Sequence, residues 1–370
     1  MKYYLIAGEA SGDLHGANLI KAIQKHDAQA QFRVWGGDKM ETADAHLVKH
    51  YRDLAFMGIA EVIGNLRTIL KNMAFCKKDI INYKPNAIIL IDYPGFNLRM
   101  AKFAHNKGFR VFFYISPTVW AWKQSRVYTI KKYVDKMFVI LPFEKEFYAR
   151  FNVEVDYAGH PLMDELADEK TIGKNQFYNK NKLDPRPIVA VLPGSRIQEI
   201  RKLLPTMLKL IDDFTDYQFV IAGMSTLPSS IYPEDKSIKI IFDQTHELLR
   251  HADAALVTSG TATLETALLN TPQVVAYKTS PLTYAVGKLL VHIRFFSLVN
   301  LIMGKEIVTE LLQKDFSKEK LSAELHKILL SKPDRQKMLA AYAKLRDKLG
   351  SPGVSDRIAG LIQKSLNQTN

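Results

Sequence analysis

The chain has 370 residues, 47% of them hydrophobic and 24% charged, with 51 basic against 38 acidic side chains and a net charge of +13. That length exceeds one ordinary core and predicts two domains. The single cysteine, Cys76, excludes an internal disulfide or a cysteine-based zinc cluster and fits a reducing compartment. No run reaches the ~18 apolar residues of a membrane span. The opening apolar run, about five residues, is too short for a signal-peptide core and reads as a strand. Excess positive charge favours a polyanion, whether nucleic acid, an anionic membrane face or a phosphorylated substrate. Nucleic acid fits least, because the basic residues are scattered rather than gathered on one helix or beside an aromatic motif.

Strand-like runs alternate with helical patterns. Predicted strands are Tyr3–Ala7, Phe32–Trp35, Ala87–Ile91, Val111–Ile115, Met137–Leu141 and Val153–Tyr157. A polar segment over about 160–187, rich in Lys and Asn and ending at Pro185 and Pro187, reads as a connection. Strands resume at Ile188–Leu192, Gln218–Ala222, Ile238–Phe242, Ala254–Val257 and Gln273–Ala276. Continuous Ile/Val/Leu/Phe runs mark strands covered on both faces, hence parallel sheets built from βαβ units. Two Rossmann-like halves follow, 1–165 and 186–349. Beyond about residue 317 the pattern is helical, and a last helix, about 350–370, is placed to pack back on the first half.

Several stretches carry chemistry. Residues 3–16, YYLIAGEASGDLHG, run from strand through a Gly/Ser turn into a helix, a ligand-site design at the carboxyl end of a parallel strand. The spacing fits neither the dinucleotide fingerprint nor the phosphate loop. In IILIDYPGFN (88–97), Asp92 ends a buried-type strand beside a Pro94–Gly95 turn, a natural place for a general base or for a cap of the next helix. VAVLPGSR (189–196) repeats the strand–turn–helix logic, with Gly194, Ser195 and Arg196 placed to meet a phosphate or, for Arg196, a solvated face. In ALVTSGTATLE (255–265), Ser259, Gly260, Thr261 and Thr263 offer hydroxyls and close backbone approach. Glu265, one turn inside, fits either a vicinal ribose diol or a capping arrangement. His15 and His160 are open between structural hydrogen bonding and proton transfer. Leu54–Phe75 and Pro281–Lys305 are apolar over too wide an arc for simple surface helices, which fits buried core or a lipid-facing surface. No Asp-x-Asp pair occurs, so Arg196 and helix dipoles are left to neutralise a leaving diphosphate without a metal.

Taken together, the chain resembles the lipid-A-disaccharide synthase family of inverting glycosyltransferases. The resemblance runs over AGEASGD (7–13), MGIAEVI (57–63), IDYPGFN (91–97), SPTVWAWKQSR (116–126), LPFE (141–144), GHPLMD (159–164), LPGSR (192–196), SGTATLE (259–265) and ELLQ (310–313). Where the family typically reads SLPNLLAGR, this chain has SLVNLIMGK, keeping Asn300 but with Val299 and Lys305 for Pro and Arg. The resemblance implies a GT-B architecture: two Rossmann-like parallel-sheet domains facing across a cleft, with a helical C-terminus. It implies transfer from UDP-2,3-diacylglucosamine to the 6-hydroxyl of 2,3-diacylglucosamine 1-phosphate, with no cofactor or metal. Asp92 takes the base position. Gly194, Ser195, Arg196, Ser259, Gly260, Thr261, Thr263, Glu265, Asn300, Glu310 and Gln313 form the UDP side. Gly8, Glu9, Ser11, Gly12 and Asp13 face sugar and diphosphate from the other domain. Acyl chains account for the two apolar stretches, which could also serve a homodimer partner, and an anionic acceptor and membrane account for the charge. The implied location is cytoplasmic, peripheral to the inner face of the inner membrane of a Gram-negative bacterium. The residues alone leave two other readings open: a UDP-sugar epimerase or hydrolase of the same fold, and a non-catalytic peripheral membrane or sugar-nucleotide binder.

Overall fold

In the computed structural model, which describes residues 1–54, 64, 66–235, 237–280, 284 and 294–368, the apolar runs become two parallel sheets. The chain divides into two compact units, Met1–Asp168 with Leu349–Asn370, and Glu169–Lys348.

The first unit runs β1 (Lys2–Ala7), α1 (Ala10–His26), β2 (Gln31–Gly36), α2 (Asp38–Thr42), β3 (His46–His50), α3 (Leu66–Tyr83), β4 (Ala87–Ile91) and α4 (Pro94–Asn106). It continues through β5 (Arg110–Tyr114), α5 (Arg126–Tyr133), β6 (Lys136–Val139), α6 (Glu144–Ala149), β7 (Asp156–Tyr157) and α7 (Leu162–Asp168). The sheet order is β3-β2-β1-β4-β5-β6-β7, every pair parallel. All five residues of β4 are buried, as a strand covered on both faces requires.

The second unit runs α8 (Lys174–Lys180), β8 (Ile188–Leu192), α9 (Ile197–Leu208), β9 (Gln218–Gly223), β10 (Lys239–Phe242), α10 (Thr245–His251), β11 (Ala252–Thr258), α11 (Thr261–Leu268) and β12 (Gln273–Tyr277). After it come α12 (Leu298–Met303), β13 (Glu310–Leu312), α13 (Lys318–Leu330) and α14 (Lys332–Leu349). Its sheet order is β10-β9-β8-β11-β12-β13, again parallel. Helix α9 shows how the sequence commits to this layer: Ile200, Leu203, Leu204 and Met207 recur at three and four and are all buried. The last helix, α15 (Val354–Asn367), belongs to the first unit, where Asp356 meets His26 of α1 at 3.1 Å. Asp164 of α7 caps it, accepting from the N–H groups of Gly353, Val354 and Ser355 at 2.7–2.9 Å.

Three expectations need correction. The polar stretch expected as a bare connection carries α7 and α8, and Phe177 and Tyr178 of α8 are buried in the second core. The strand expected over Val153–Tyr157 is only Asp156–Tyr157, because Val153 donates to the Tyr148 carbonyl and closes the end of α6 instead. Edge strands β3 and β13 were not expected. The first is polar and half-buried, and the second is three residues long. The 57–63 motif lies outside the described residues, as do residues 281–283 and 285–293 of the 281–305 stretch and 55–63 and 65 of the 54–75 stretch.

Candidate active site

Both sheets reverse their strand order at a defined point, between β1 and β4 in the first unit and between β8 and β11 in the second. In open parallel sheets the crevice at the carboxyl ends of those strands is where ligands bind. Gly8 and Asp92 follow β1 and β4; Gly194–Arg196 and Ser259–Gly260 follow β8 and β11. The turns singled out from the sequence therefore sit where the topology puts a site in each unit.

In the first unit, β4 ends in two consecutive left-handed residues, Asp92 (φ 43°) and Tyr93 (φ 48°), before Pro94 opens α4. Neither is glycine, and each such conformation costs about 1–3 kcal/mol and persists only where its surroundings enforce it. Buried Asn97 is the clamp: its Nδ2 donates to the carbonyls of Ile6, Ile91 and Asp92 at 2.8–3.2 Å. The Asp92 N–H donates to the Tyr114 carbonyl at 3.2 Å. The half-buried Asp92 carboxyl is pushed up to about 7, by burial first and then by the charge of Glu9, against smaller opposing effects of the Tyr93 N–H and His15. It is poised to exchange a proton near neutrality.

In the second unit, Gly194 (φ 113°) turns the chain from β8 into α9, and a Cβ there would lie 2.6 Å from Oε2 of Glu199. That approach lets the Glu199 carboxylate accept from the Ser195 N–H at 3.2 Å and from Nη1 of Arg196 at 2.9 Å. A cavity of about 420 Å³ opens here, lined by Leu192–Arg196, Glu199, Ala222, Met224, Thr245, Thr258–Ala262 and Glu265. A second, of about 530 Å³, shares Met224, Thr245 and Glu265 and adds Glu169, Lys170, Lys180 and His246. The exposed Arg196 guanidinium and the amino end of α9 make the first cavity a place for an anion that displaces Glu199 from the Ser195 N–H.

The structure gathers Gly194, Ser195, Arg196, Ser259, Gly260, Thr261 and Glu265 around that one cavity. It places other expected residues differently. Thr263 is buried and donates to the Gly260 carbonyl at 2.8 Å, locking the first turn of α11. Asn300 is fully buried, donating to Val308 and Glu310 and accepting from the N–H groups of Ile307 and Val308. Glu310 also accepts from Phe296 and Ser297, so this pair braces residues 296–310 rather than presenting polar groups to a ligand. Ser259 ties that brace to the cavity by donating to the Phe296 carbonyl at 2.8 Å. The Gln313 amide lies against the N–H and carbonyl of Thr279, both at 3.2 Å, and pairs with them once its oxygen and nitrogen are assigned to suit. In the first unit, Gly12 is buried with its Cβ position 3.0 Å from that of Ala7, so it lets α1 seat on β1. The Asp13 carboxylate is buried too, accepting from the N–H groups of Gly37, Lys39 and Met40 at the start of α2. Glu9 and Ser11 are exposed and bonded to each other at 2.6 Å. His160 is buried, pushed down to about 3 by burial and by His15, and accepts from the Leu162 N–H, which makes it a structural hydrogen bonder. His15 faces Glu165 at 3.2 Å. Sequence reasoning missed Glu199, Glu169 and His246; Glu199 carries a local signal, an acid in the first turn of α9 three residues after Arg196, whereas the fold alone brings Glu169 and His246 together.

Among the described residues no cluster of His, Cys, Asp or Glu is set to hold a metal ion, and no helix is long and apolar enough to cross a membrane. The family model described as lipid-A-disaccharide synthetase matches residues 3–363. This chain belongs to the lipid-A-disaccharide synthase family. A lipid-A-disaccharide synthase from Syntrophus aciditrophicus (strain SB) is 41% identical over 377 residues, covering 98% of each chain. One from Geobacter sulfurreducens is 37% identical, covering 98% of this chain and 97% of its own. Among solved structures, the S. aureus MnaA–UDP co-structure aligns with a TM-score of 0.69 at 15% identity, over 99% of this chain and 97% of its own. The kitacinnamycin glycosyltransferase aligns at 0.67 and 12% identity, over 98% of each. Those distant likenesses show the GT-B fold. Family membership, carried by full-length relatives, makes the chain a glycosyltransferase with lipid-A-disaccharide synthase activity and disfavours the epimerase and non-catalytic readings.

Proposed function

We propose that the second unit binds the nucleotide of UDP-2,3-diacylglucosamine and that the first unit binds 2,3-diacylglucosamine 1-phosphate. In this scheme Asp92 takes the proton of the acceptor 6-hydroxyl. The freed oxygen attacks the anomeric carbon as its bond to the diphosphate breaks, inverting the centre and releasing UDP and a β-1,6-linked disaccharide 1-phosphate. Arg196 and the Gly194 and Ser195 amides take up the charge developing on the leaving diphosphate. The observation that carries the reading is the Asp92 carboxyl, held near a pKa of 7 on a strained corner at the ligand end of β4. A group so placed is within the range that general-base catalysis at neutral pH requires.

The UDP half is supported by the cavity that collects Arg196, Ser259, Gly260 and Glu265. The test is UDP release from UDP-2,3-diacylglucosamine with and without the acylated acceptor. Release only with acceptor, with one disaccharide formed per UDP, is expected; equal release without acceptor contradicts the scheme and favours a hydrolase.

Lipid substrates imply work at a membrane, here as a peripheral protein on an anionic cytoplasmic face. Leu66, Leu70 and Phe75 of α3 are 48–55% exposed, beside exposed Arg67 and Lys71, which is the pairing an anionic interface recruits. Flotation with anionic vesicles at low salt is expected, weakening as salt rises; failure to float at low salt contradicts it.

A further inference from the structure

His246, in the first turn of α10, has a carboxylate at each ring nitrogen. Its Nδ1 lies 2.5 Å from Oε1 of Glu169 and its Nε2 lies 3.3 Å from Oε2 of Glu265. A neutral imidazole carries one N–H and cannot donate to both. Burial disfavours the charged ring, but Glu265 and Glu169 outweigh it and push the pKa up to about 9, so the ring is an imidazolium at neutral pH. Glu169 is itself anchored, its other oxygen accepting from Nη1 of Arg250 at 2.8 Å. Arg250 also meets Glu247 at 3.4 Å, and Glu247 lies 3.5 Å from His251. Lys170, Lys180 and Asp243 complete the charged groups lining the cavity on this side. Glu265 differs from Glu169: among the described residues, His246 is its ionic partner, and it lines both cavities.

We propose that His246 is a positioning residue for the donor nucleotide: it holds one oxygen of Glu265, turning the other to the two ribose hydroxyls of a uridine diphosphate in the adjoining cavity. The proposal rests on reading that cavity as the UDP site. An ionised carboxylate is acceptor-only, so it matches a diol that offers two O–H donors and discriminates against a sugar lacking one. Discrimination of this kind depends on a fixed carboxylate, because a rotating one satisfies a single hydroxyl about as well as two. The imidazolium supplies that fixity by its ion pair with Glu265, at 3.3 Å.

Calorimetric binding of UDP and 2′-deoxy-UDP to the wild-type chain, His246→Ala and His246→Gln tests this. The wild type is expected to prefer UDP. His246→Ala is expected to lose about tenfold or more in UDP affinity, the range for a lost charged hydrogen bond, with 2′-deoxy-UDP little changed, so that the preference collapses. His246→Gln, neutral with one donor, is expected to fall between. In turnover the loss appears in KM for the donor, not in kcat. In the wild type, the ring C–H resonance of His246, assigned by its absence from His246→Gln, is expected to titrate near 9 and to shift when UDP is added. Full UDP preference in both variants, or a resonance indifferent to UDP, overturns the proposal while leaving the pocket reading intact. A wild-type chain that binds no UDP overturns both.

Discussion

Gly8 and Tyr93 meet so closely that a Cβ on Gly8 would lie 2.3 Å from Cγ of the Tyr93 ring. The ring belongs to the left-handed residue immediately after Asp92, so the turn after β1 and the position of the Asp92 carboxyl are mechanically linked. Neither side can yield easily, since the ring is rigid and stacks on Phe96 with centroids 5.6 Å apart.

Gly8→Ala should therefore lower turnover as well as stability. A misplacement of about 1 Å at a reacting group can cost about 100-fold in rate, and overpacking of this size typically costs about 1–3 kcal/mol of stability. Steady-state kinetics and thermal unfolding of the folded variant measure the two effects. Wild-type turnover in that variant would break the link between the two turns.

The pH dependence follows from the same carboxyl. As a base Asp92 works only when ionised, so kcat/KM should rise with pH through about 7 and level above it. Stability runs the other way. A carboxyl raised in the folded state favours folding most below its unfolded value, and that contribution is lost as pH climbs through about 7. Asp92→Asn should then be more stable than the wild type at pH 8, by about 1–3 kcal/mol, with the gap narrowing toward pH 4. Denaturant unfolding at the two pH values checks the sign; a variant less stable at pH 8 contradicts it.

How much of this was legible in the chain depends on how local each cause is. Strands β4 and β8 occur over the residues expected, because a run buried on both faces admits one reading. Asp13 was expected to face sugar and diphosphate, but the partners that take up its carboxylate, Gly37 and Met40, arrive from another turn 24 and 27 residues on. The Asn300–Glu310 brace was visible as polar residues in a motif, yet polarity does not tell a ligand group from a fully hydrogen-bonded buried one. His246 finds Glu169 across 77 residues, through a helix start beside β10 that only the sheet order creates.

Glu199 holds the Ser195 N–H and the Arg196 guanidinium, the donors we assign to the diphosphate. An anionic ligand there must displace it. Glu199→Ala should bind UDP severalfold more tightly at low ionic strength, an advantage that salt diminishes. Titration calorimetry at two salt concentrations reads the change, and weaker binding would mean that Glu199 orders the site rather than competing for it.

With arginine, backbone amides and a helix start assigned to the leaving diphosphate, and no Asp-x-Asp pair in the chain, turnover should persist in excess EDTA. Inhibition by the chelator that magnesium reverses would require a metal in the scheme.

The most direct test concerns Asp92 itself. Turnover of Asp92→Asn should fall about 10²–10⁴-fold, the range for loss of a general base, while the dissociation constant for UDP stays at the wild-type value. Turnover within a few-fold of wild type in that variant would contradict the assignment of Asp92 as the base.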